Sequence, residues 1–453
     1  MNNLSLYIHI PFCVRKCNYC DFLSAPCEEE TKQKYVDALC REIAQKAENF
    51  KNKKVDTIFF GGGTPSILSA EQITKIMSLI RTEFQVLSDA EISIEMNPGT
   101  VDREKLETYK KLGVNRLSIG LQSADDEELK ILGRIHTWET FLHTWEMVRE
   151  VGFTNVNVDL MSALPGQTLE SYKETLRKVL ALRPEHISAY SLIVEEGTLF
   201  YEWFGQDKIE QDEKKVVKDR NEQDEKTADK YMDIITKKLP DEDTERRMYE
   251  MTKELLEEQG YCRYEISNYA LKGYECRHNI GYWKRKEYLG LGLGAASLLF
   301  IDSNQFDDVE MTGQWKQDFC GKKDKNIRCR NTTDMETYVK AKWDSEVFGK
   351  KQNKDYESID TFGKEQDWME EFTELSVREQ MEEFMFLGLR MMEGILPTEF
   401  EEQFGKTLQE VYGKQIQKLV KQGLLECREK TERYALTLWG IDVSNQVFVE
   451  FIE

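Results

Sequence analysis

The sequence predicts an α/β protein in which six β/α repeats form an open, partial (β/α)6 barrel, followed by a small winged-helix-like domain at the C-terminus. Two observations support this prediction. Short apolar segments alternate with amphipathic ones from residue 4 to about residue 195, which is typical of a parallel sheet with right-handed crossovers. Residues 371–453 instead show the pattern of three helices and a short β-ribbon. Six repeats are fewer than the eight of a closed barrel.

The predicted elements of the barrel follow one another with short connections. Strands are predicted at Leu4–Ile10, Val55–Phe60, Glu91–Met96, Arg116–Ile119, Asn155–Met161 and His186–Leu192. Helices are predicted between them at Glu29–Asn49, Ala70–Phe84, Arg103–Leu112, Asp126–Leu132, Trp138–Val151 and Leu169–Leu182. Gly113 and Gly152 stand just after two of these helices, where a glycine commonly closes a helix. In such folds, ligands bind at the C-terminal ends of the strands.

The barrel is expected to span residues 1–200, and three further parts follow it. Residues 201–250 are strongly charged and predict an acidic, solvated helical insertion, while residues 251–370 predict a connecting region with further insertions. Residues 371–453 form the C-terminal part, which holds 16 acidic and 9 basic residues, so we do not expect its winged helix to bind DNA. Its predicted elements are helices Val377–Met391, Pro397–Phe404 and Thr407–Gln422, strands Leu425–Arg428 and Tyr434–Leu438, a break at Trp439-Gly440, and a closing helix from Ile441.

The composition excludes several classes of protein. The 453 residues carry a net charge of −21, which argues against a nucleic-acid-binding surface. No run of about 18 apolar residues predicts a membrane-spanning helix, although the sequence is compatible with a transient contact at a membrane surface. The chain enters a strand almost directly after Met1, which leaves no room for a signal peptide. Ten cysteines in such a chain indicate a reducing compartment and metal ligation, so we expect a cytoplasmic protein.

The segment from Tyr7 to Phe22 contains the most informative motif. It places Cys13, Cys17 and Cys20 in a C-x3-C-x2-C run directly after the first strand. Three closely spaced thiolates on one loop suit a metal cluster better than a disulfide. A [4Fe–4S] cluster held by three thiolates leaves one iron open for a non-protein ligand. The alternatives are a structural zinc site, which would need a fourth ligand that does not stand at the right spacing, and incidental buried cysteines.

Polar residues also follow the next strands. Gly62 and Gly63 allow a ligand to approach the backbone closely. Glu95 can accept hydrogen bonds from ribose hydroxyls, as the acid of dinucleotide-binding folds does, and Arg134 can pair with a carboxylate. Asp159 lies in a nearly continuous apolar strand, where an acid costs free energy unless it is paired or functional. Each residue alone has an equally good structural explanation, but their positions at successive strand ends favour a common site.

Together, the cysteine run and these strand ends resemble the radical S-adenosylmethionine (SAM) proteins. The particular group they resemble comprises the oxygen-independent coproporphyrinogen III oxidases and the HemW-type heme chaperones. The resemblance implies a [4Fe–4S] cluster whose open iron binds the amino and carboxylate groups of SAM, which is then cleaved to methionine and a 5′-deoxyadenosyl radical. It also implies that a set of residues contacts SAM, namely Tyr7, Tyr19, Gly62, Gly63, Thr64, Glu95, Gln122, Arg134 and Asp159.

Two features are similar to the heme chaperones and differ from the oxidases. The oxidases carry a fourth cysteine two residues after the third, whereas Asp21-Phe22 follows Cys20 here. The segment Cys276–Trp283 contains H-N-x-x-Y-W, which resembles a signature of the chaperones. His278 in this segment is predicted to be an axial heme ligand beside aromatic walls. The alternative is a buried histidine whose nitrogens are satisfied by hydrogen bonds.

The other histidines and one departure from the family pattern complete the predicted site. His9, beside the cysteine run, is a second candidate heme ligand, although packing or orientation of SAM is the favoured role. His136, His143 and His186 are interpreted as surface or helix residues. Ala296 stands where the family segment usually has a histidine; if that histidine contacts heme or substrate in the family, this chain has lost the contact or uses His278 alone.

The resemblance implies a radical SAM heme chaperone that binds a [4Fe–4S] cluster, SAM and heme. Such a protein would take electrons from a reductant protein and deliver heme to acceptor proteins such as a respiratory complex. The alternative hypothesis is an enzyme, an oxygen-independent coproporphyrinogen III oxidase (dehydrogenase) that turns two propionates into vinyl groups. A third hypothesis, RNA modification, is disfavoured by the acidic balance of the chain.

Overall fold

A computed structural model describes residues 3–205, 234, 236–301, 325–341 and 368–452. One sheet of twelve strands organises these residues. The strands are β1 (Asn3–Ile10), β2 (Lys54–Gly62), β3 (Gln85–Met96), β4 (Arg116–Gln122), β5 (Val156–Ser162), β6 (His186–Ser191), β7 (Cys262–Arg263), β8 (Asn268–Ala270), β9 (Tyr288–Leu291), β10 (Ala296–Ile301), β11 (Lys325–Asn331) and β12 (Met369–Glu374). Their order in the sheet is β12-β11-β10-β9-β1-β2-β3-β4-β5-β6-β8-β7.

Strands β1 to β6 lie side by side in sequence order, and each is parallel to its neighbour. This confirms the predicted mixed α/β fold with a parallel sheet built from six β/α repeats. The sheet continues beyond the repeats on both sides. Strand β9 lies parallel to β1, whereas β10 to β12 on one side and β8 and β7 on the other are antiparallel.

Helices connect the parallel strands and are fixed by local capping. In the α/β part they are α1 (Glu29–Ala47), α2 (Ala70–Glu83), α3 (Arg103–Lys111), α4 (Asp126–Ile131), α5 (Trp138–Glu150), α6 (Leu169–Leu182), α7 (Leu199–Phe204), α8 (Glu242–Glu258), α9 (Arg277–Trp283) and α10 (Met335–Lys340). Ser69 and Thr168 form capping boxes that satisfy free N–H groups at the starts of α2 and α6. Gly113 and Gly152 follow α3 and α5 with φ of 85° and 89°, which confirms their predicted place.

The parallel strands are buried on both faces. All seven residues of β4 are buried, as expected for a parallel strand whose two faces are both covered. On the face that packs against the helices, β1 contributes Leu4, Leu6, Ile8 and Ile10, all fully buried in the main core. The opposite face is more polar, and it buries Ser93, Ser118 and Asn157. The interior of the sheet is therefore lined by side chains that can form hydrogen bonds.

Two predicted boundaries differ from the structure. Helix α8 begins at Glu242, inside the stretch expected to be a solvated insertion, and its Met248 and Leu256 are buried. It packs on α6, where the Tyr172 hydroxyl lies 2.9 Å from the Thr252 hydroxyl. The helical character was predicted but the buried face was not, because apolar residues at only every third or fourth position suffice to bury one stripe of a helix. The region 251–370 was expected to connect the barrel to the C-terminal part, but it also supplies strands β7 to β11 to the sheet. The other expected insertions fall largely in residues 206–233, 302–324 and 342–367, which lie outside the described residues.

The C-terminal part has its own core. Its elements are α11 (Val377–Gly388), α12 (Pro397–Phe404), α13 (Leu408–Lys421), β13 (Leu425–Arg428), β14 (Arg433–Leu436), α14 (Leu438–Asp442) and α15 (Ser444–Val449). Three helices before an antiparallel β-ribbon match the predicted winged-helix-like pattern. The predicted break at Trp439-Gly440 is wrong, because both residues lie within α14. Thr437 caps this helix by accepting a hydrogen bond from Gly440 N at 3.0 Å, and a side chain at position 440 would collide with the Leu424 carbonyl.

An ion pair fixes the C-terminal part to the sheet. Arg285, after α9, lies 2.8 Å from the Glu383 carboxylate on α11, and both side chains are buried. Arg328 on β11 pairs with the same carboxylate at 2.8 Å. Among the described residues, no helix combines the length and the apolar character needed to cross a membrane.

Candidate functional site

The three cysteines of the C-x3-C-x2-C run lie on the loop between β1 and α1, at the C-terminal end of the parallel strands. Backbone hydrogen bonds anchor this loop on two sides. Cys13 N donates to the Ala25 carbonyl at 3.2 Å, and Asn18 N donates to the Leu132 carbonyl at 3.0 Å. The side-chain amide of Asn18 also donates to the Ile131 carbonyl at 2.8 Å. The loop is therefore fastened both to itself and to the end of α4.

The thiols on this loop suit a cluster better than a single metal ion. Cys13 is buried, and Cys17 and Cys20 are half-buried; burial raises the pKa of the Cys13 and Cys20 thiols. Within the described residues, no three His, Cys, Asp or Glu side chains converge closely enough to hold one metal ion. A zinc ion would need its ligands within about 2.0–2.3 Å of one point. A [4Fe–4S] cluster spreads its thiolates over different irons and does not require that convergence.

The glycine turn after β2 lies against the cysteine loop. A Cβ atom at Gly62, whose φ is 112°, would lie 2.6 Å from the His9 ring, and one at Gly63 would lie 2.5 Å from the Phe12 carbonyl oxygen. Only glycine fits at these two positions, because larger residues would push the loop away from the strand end. Thr64 follows and is buried. These glycines thus serve the packing of the cysteine loop, in addition to any contact with a ligand.

Two carboxylates lie on the polar side of the sheet, one on β3 and one on β5. Glu95 lies at the end of β3 and accepts a backbone hydrogen bond from Gly62; burial and the nearby charge of Asp159 raise its pKa to about 8. Asp159 on β5 accepts from the Asn157 amide at 2.7 Å and from the Ser118 hydroxyl at 3.3 Å. Burial raises the pKa of Asp159, although these hydrogen bonds oppose the shift. The site therefore holds two acids with raised pKa values, which favours a bound ligand with hydrogen-bond donor groups.

Arg134 connects the strand ends to the cysteine loop. Its guanidinium donates to Asn97 Oδ1 at 2.6 Å and also to the Gly120 carbonyl. Asn97 in turn donates to the Thr64 hydroxyl at 2.8 Å. The Nη1 atom of Arg134 lies 3.6 Å from Cys17 Sγ, and its Nε atom is buried without a hydrogen-bond partner. One cation thus contacts a cysteine of the loop and keeps a donor available for a bound anion.

Gln122 and two tyrosines close the other side of the site. Gln122 ends β4 with its backbone in the left-handed region, at φ of 75°. Its side-chain Oε1 accepts a hydrogen bond from the Tyr190 hydroxyl at 3.0 Å. Tyr19 lies near Arg134 and Cys17, and burial raises its pKa. A left-handed residue other than glycine is strained and is often found at functional sites, so the position of Gln122 favours a specific role for its amide.

Tyr7 and His9 lie between the sheet and the cysteine loop. The Tyr7 hydroxyl donates to His9 Nδ1 at 3.1 Å, and His9 Nε2–H donates to the Leu23 carbonyl at 3.0 Å. Burial lowers the pKa of His9, which favours the neutral ring, and the Leu23 carbonyl fixes the tautomer because it can only accept a hydrogen bond. Because both nitrogens are engaged, His9 orients the loop and does not present a free nitrogen to heme.

His278 does not present a free nitrogen in this arrangement either, and its role as an axial heme ligand stays a prediction. It lies in the first turn of α9 and is 1% exposed. Its Nδ1 lies 2.7 Å from the Thr57 hydroxyl and its Nε2 lies 2.9 Å from the Tyr282 hydroxyl, while its ring stacks on Phe59 at 5.0 Å. Burial lowers its pKa to about 3. The structure thus shows the alternative, a buried histidine whose hydrogen bonds are satisfied, because α9 packs against the polar side of β2 and β3.

The interpretation of His136 and His186 as surface or helix residues is wrong. His136 is 5% exposed, its Nε2 lies 3.2 Å from the Leu121 carbonyl, and burial and Arg134 lower its pKa to about 3. It lines one cleft with Cys17 and Arg134. His186 is 1% exposed in the interior of the sheet. Polar flanking residues suggested exposure, but both histidines are buried by segments that are distant in sequence. His143 is exposed, as predicted.

Most of the predicted site residues lie at one edge of the sheet, but sequence reasoning missed several of their polar partners. These are Asn18, Asn97, Ser118, Asn157, His186 and Tyr190. Only Asn97 carried a local signal, because it follows the end of a strand before a proline. Ala296, the departure from the family pattern, lies on β10 opposite Arg330, and its carbonyl lies close to Gly290 of β9.

Similarity to known proteins agrees with this architecture. Residues 7–179 match the model of the Radical SAM superfamily, and residues 375–443 match that of the HemN C-terminal domain. The chain is 32% identical over 448 residues to a protein of Lactococcus lactis subsp. lactis named heme chaperone HemW, covering 99% of this chain and 97% of the relative. A Bacillus subtilis protein of the same name is 32% identical over 449 residues, covering 99% of each chain.

A solved structure resembles nearly the whole chain. It is coproporphyrinogen III oxidase (HemN) from Escherichia coli, described as a radical SAM enzyme, with a TM-score of 0.71 and 23% identity, covering 99% of this chain and 90% of that one. This likeness shows the fold. The near-complete overlap with the two bacterial relatives shows the family: the chain belongs to the HemW family of radical SAM proteins.

Proposed function

We propose that this protein is a radical SAM heme chaperone that binds a [4Fe–4S] cluster, SAM and heme and delivers heme to acceptor proteins. The near-complete overlap with proteins named heme chaperone is the observation that supports this function most strongly. The geometry supports the cluster and SAM, because three thiols and a set of strand-end polar groups share one edge of the sheet.

The cluster would be held by Cys13, Cys17 and Cys20. Their loop is already anchored by backbone hydrogen bonds. Cluster binding would therefore cost little additional conformational entropy. The cluster and SAM together supply one-electron reductive cleavage of a sulfonium. The protein's own contribution is to hold the thiols at the mouth of the sheet and to place Arg134 beside Cys17.

SAM would be bound by the polar groups around this loop. The carboxylate of its methionine part would pair with Arg134, whose Nε atom has no partner in the described structure. Glu95, and with it Asp159, would accept hydrogen bonds from the ribose hydroxyls and other donors. The side-chain amide N–H groups of Gln122 would donate hydrogen bonds to SAM. The remaining residues of this proposal, which shape the site, are Tyr7, Tyr19, Gly62, Gly63 and Thr64.

Heme binding is proposed from the family, and its axial ligand is left open by the geometry. His9 and His278 have both ring nitrogens in hydrogen bonds. Ligation by His278 would therefore require α9 to move away from β2. Trp283, at the end of α9, keeps a buried indole N–H without a partner, and it stacks with Arg390 at 4.4 Å. The H-N-x-x-Y-W segment thus contains aromatic surface next to a cation, which suits a porphyrin with carboxylate groups.

The proposed partners are heme-acceptor proteins and a reductant protein, and no nucleic acid. A reducing, cytoplasmic setting is supported by the described cysteines, which are all free thiols, and a transient contact with a membrane surface is compatible with delivery to a respiratory complex. The alternative, coproporphyrinogen III oxidation, shares the fold, but none of the features of the described site favours it.

A two-arm anaerobic experiment tests the proposed function. Reconstituted protein receives heme in one arm, and coproporphyrinogen III, SAM and a reductant in the other. We expect a shifted Soret band with one heme per chain in the first arm and no porphyrinogen product in the second. Conversion to protoporphyrinogen IX that depends on Cys17 would show that the protein is an oxidase and would contradict the proposed chaperone function.

A further inference from the structure

A continuous line of hydrogen bonds runs through the interior of the sheet from the H-N-x-x-Y-W segment to the SAM site. It starts at Cys276 N, which lies 3.3 Å from the Tyr264 hydroxyl. The same hydroxyl lies 2.8 Å from His186 Nε2, and His186 Nδ1 lies 2.6 Å from Asn157 Oδ1. The Asn157 amide then reaches Asp159 Oδ1 at 2.7 Å. Five residues from four segments of the chain are thus joined.

All donors in this line point the same way. Cys276 N–H donates to Tyr264, the Tyr264 hydroxyl donates to His186 Nε2, His186 Nδ1–H donates to Asn157, and Asn157 donates to Asp159. Burial holds the pKa of His186 well below its usual range, so the ring stays neutral and can both donate and accept. Hydrogen bonds aligned in one direction polarise one another. The line therefore ends by directing its dipoles at the Asp159 carboxylate.

The line of hydrogen bonds connects the proposed SAM site at one end with the H-N-x-x-Y-W segment at the other. Asp159 lies at the edge proposed to bind SAM, on β5. Cys276 precedes α9, whose first turn is fixed by Glu91 of β3: its carboxylate accepts from Arg277 N and from His278 N, each at 3.0 Å. Any movement of this segment would therefore disturb Tyr264 and, through it, the carboxylate at the SAM site.

We propose that Tyr264, His186 and Asn157 are positioning residues for Asp159, and that through them the position of the H-N-x-x-Y-W segment alters the affinity for SAM. This inference rests on the proposed contact of Asp159 with SAM. It supplies a physical link between the SAM site and the segment that resembles the heme-chaperone signature. None of the three residues needs to touch SAM.

Calorimetric SAM binding to the cluster-loaded protein tests the inference. Tyr264→Phe removes one oxygen atom at the far end of the line, and we expect it to weaken SAM binding about fivefold, the loss of one buried hydrogen bond. His186→Leu should weaken binding at least as much. His186→Gln should restore most of the affinity, because a carboxamide can still donate to Asn157 and accept from Tyr264.

Tyr172→Phe is the matched control, since it also removes a buried tyrosine hydroxyl, one that bonds Thr252 on the helix side of the sheet. It should bind SAM like the parent protein. Tyr264→Phe with parental SAM affinity would overturn the inference even if Asp159→Asn weakens binding. If Asp159→Asn itself binds like the parent, the proposed role of Asp159 falls, and the inference falls with it. Loss of binding in Tyr172→Phe equal to that in Tyr264→Phe would also contradict the inference, because it would indicate a general effect of lost stability.

Discussion

The guanidinium of Arg134 lies 3.6 Å from the Sγ atom of Cys17 and, through Asn97, is joined to Thr64 at the end of β2. The residue predicted to bind SAM thus also contacts the cysteine loop. Hydrogen bonds to cysteine sulfurs raise the reduction potential of iron–sulfur clusters, because they stabilise the more negative reduced form. Arg134 therefore has two proposed effects that can be measured separately.

The first prediction concerns this contact. Arg134→Met should shift the reduction potential of the cluster, without SAM, to more negative values by about 40 mV, the one-electron equivalent of about 1 kcal/mol. A redox titration followed by electron paramagnetic resonance measures the shift. Arg103→Met removes an exposed cation that pairs with Glu150 and serves as the control. An unchanged potential in Arg134→Met would show that the guanidinium does not act on Cys17.

The second prediction concerns the cluster ligands. Cys13→Ala, Cys17→Ala and Cys20→Ala should each lose the brown absorbance and the stoichiometric iron of the anaerobically reconstituted protein, because three thiolates are needed to hold the cluster. Cys27→Ala and Cys40→Ala should retain both, since Cys40 lies within α1 and Cys27, although it lies on the same loop, is outside the C-x3-C-x2-C run. Iron and sulfide analysis decides the matter. Loss of the cluster in Cys27→Ala as complete as in Cys17→Ala would mean that the ligand assignment is incorrect.

The third prediction concerns Glu95. Burial and Asp159 raise its pKa to about 8 in the folded protein, above the value of about 4.3 for an exposed glutamate. Folding therefore takes up a proton between these pH values. The stabilising contribution is complete below about pH 4 and is lost as the pH rises to about 8, with a slope of up to about 1.4 kcal/mol per pH unit.

Glu95→Gln cannot ionise and removes this slope. The melting temperature of the cluster-free variant, minus that of the cluster-free parent, should increase from pH 5 to pH 8 and then stay constant. Thermal unfolding in a buffer series measures it, and Glu170→Gln, an exposed glutamate on α6, should show no such trend. A difference that is the same at pH 5 and pH 8 would contradict the raised pKa.

The fourth prediction concerns His278. His278→Ala should lower the free energy of unfolding by about 2–4 kcal/mol, because it opens a cavity beside Phe59 and leaves the Thr57 and Tyr282 hydroxyls without their partner. Denaturant unfolding of the cluster-free protein measures the loss, and the exposed His143→Ala is the control. If His278→Ala keeps the parental stability but loses the Soret shift of bound heme, the histidine is a heme ligand after all.

Much of the fold could be predicted because its signals are local. The helix Leu169–Leu182 and the strand Leu425–Arg428 have the predicted ends, since capping residues and apolar periodicity lie within the segments themselves. Strand β3 begins at Gln85, six residues before the predicted start, because its first half is polar and partly exposed. The strands of residues 251–331 were not predicted, since β7, β8 and β9 have only two to four residues and the sheet places β8 and β9 beside the distant strands β6 and β1.

The site residues also differ in whether local sequence or long-range contacts identify them. Cys13, Glu95 and Arg134 could be selected from motifs at strand ends. The partners that orient them could not, because Asn157, His186 and Tyr190 are ordinary strand residues until the sheet brings them together. His278 combines both kinds of signal: its motif is local, whereas the burial and hydrogen bonding of its ring depend on Thr57, more than two hundred residues earlier.

A transfer assay is the most direct test of whether this protein delivers heme to acceptor proteins. Heme-loaded protein is mixed anaerobically with the apo form of a b-type cytochrome, and in parallel with apomyoglobin, which collects heme that dissociates passively. We expect heme to reach the cytochrome faster than it reaches apomyoglobin, and Cys17→Ala to remove this advantage without abolishing heme binding. Equal rates to both acceptors, unaffected by Cys17→Ala, would show passive loss of heme and would contradict the chaperone function.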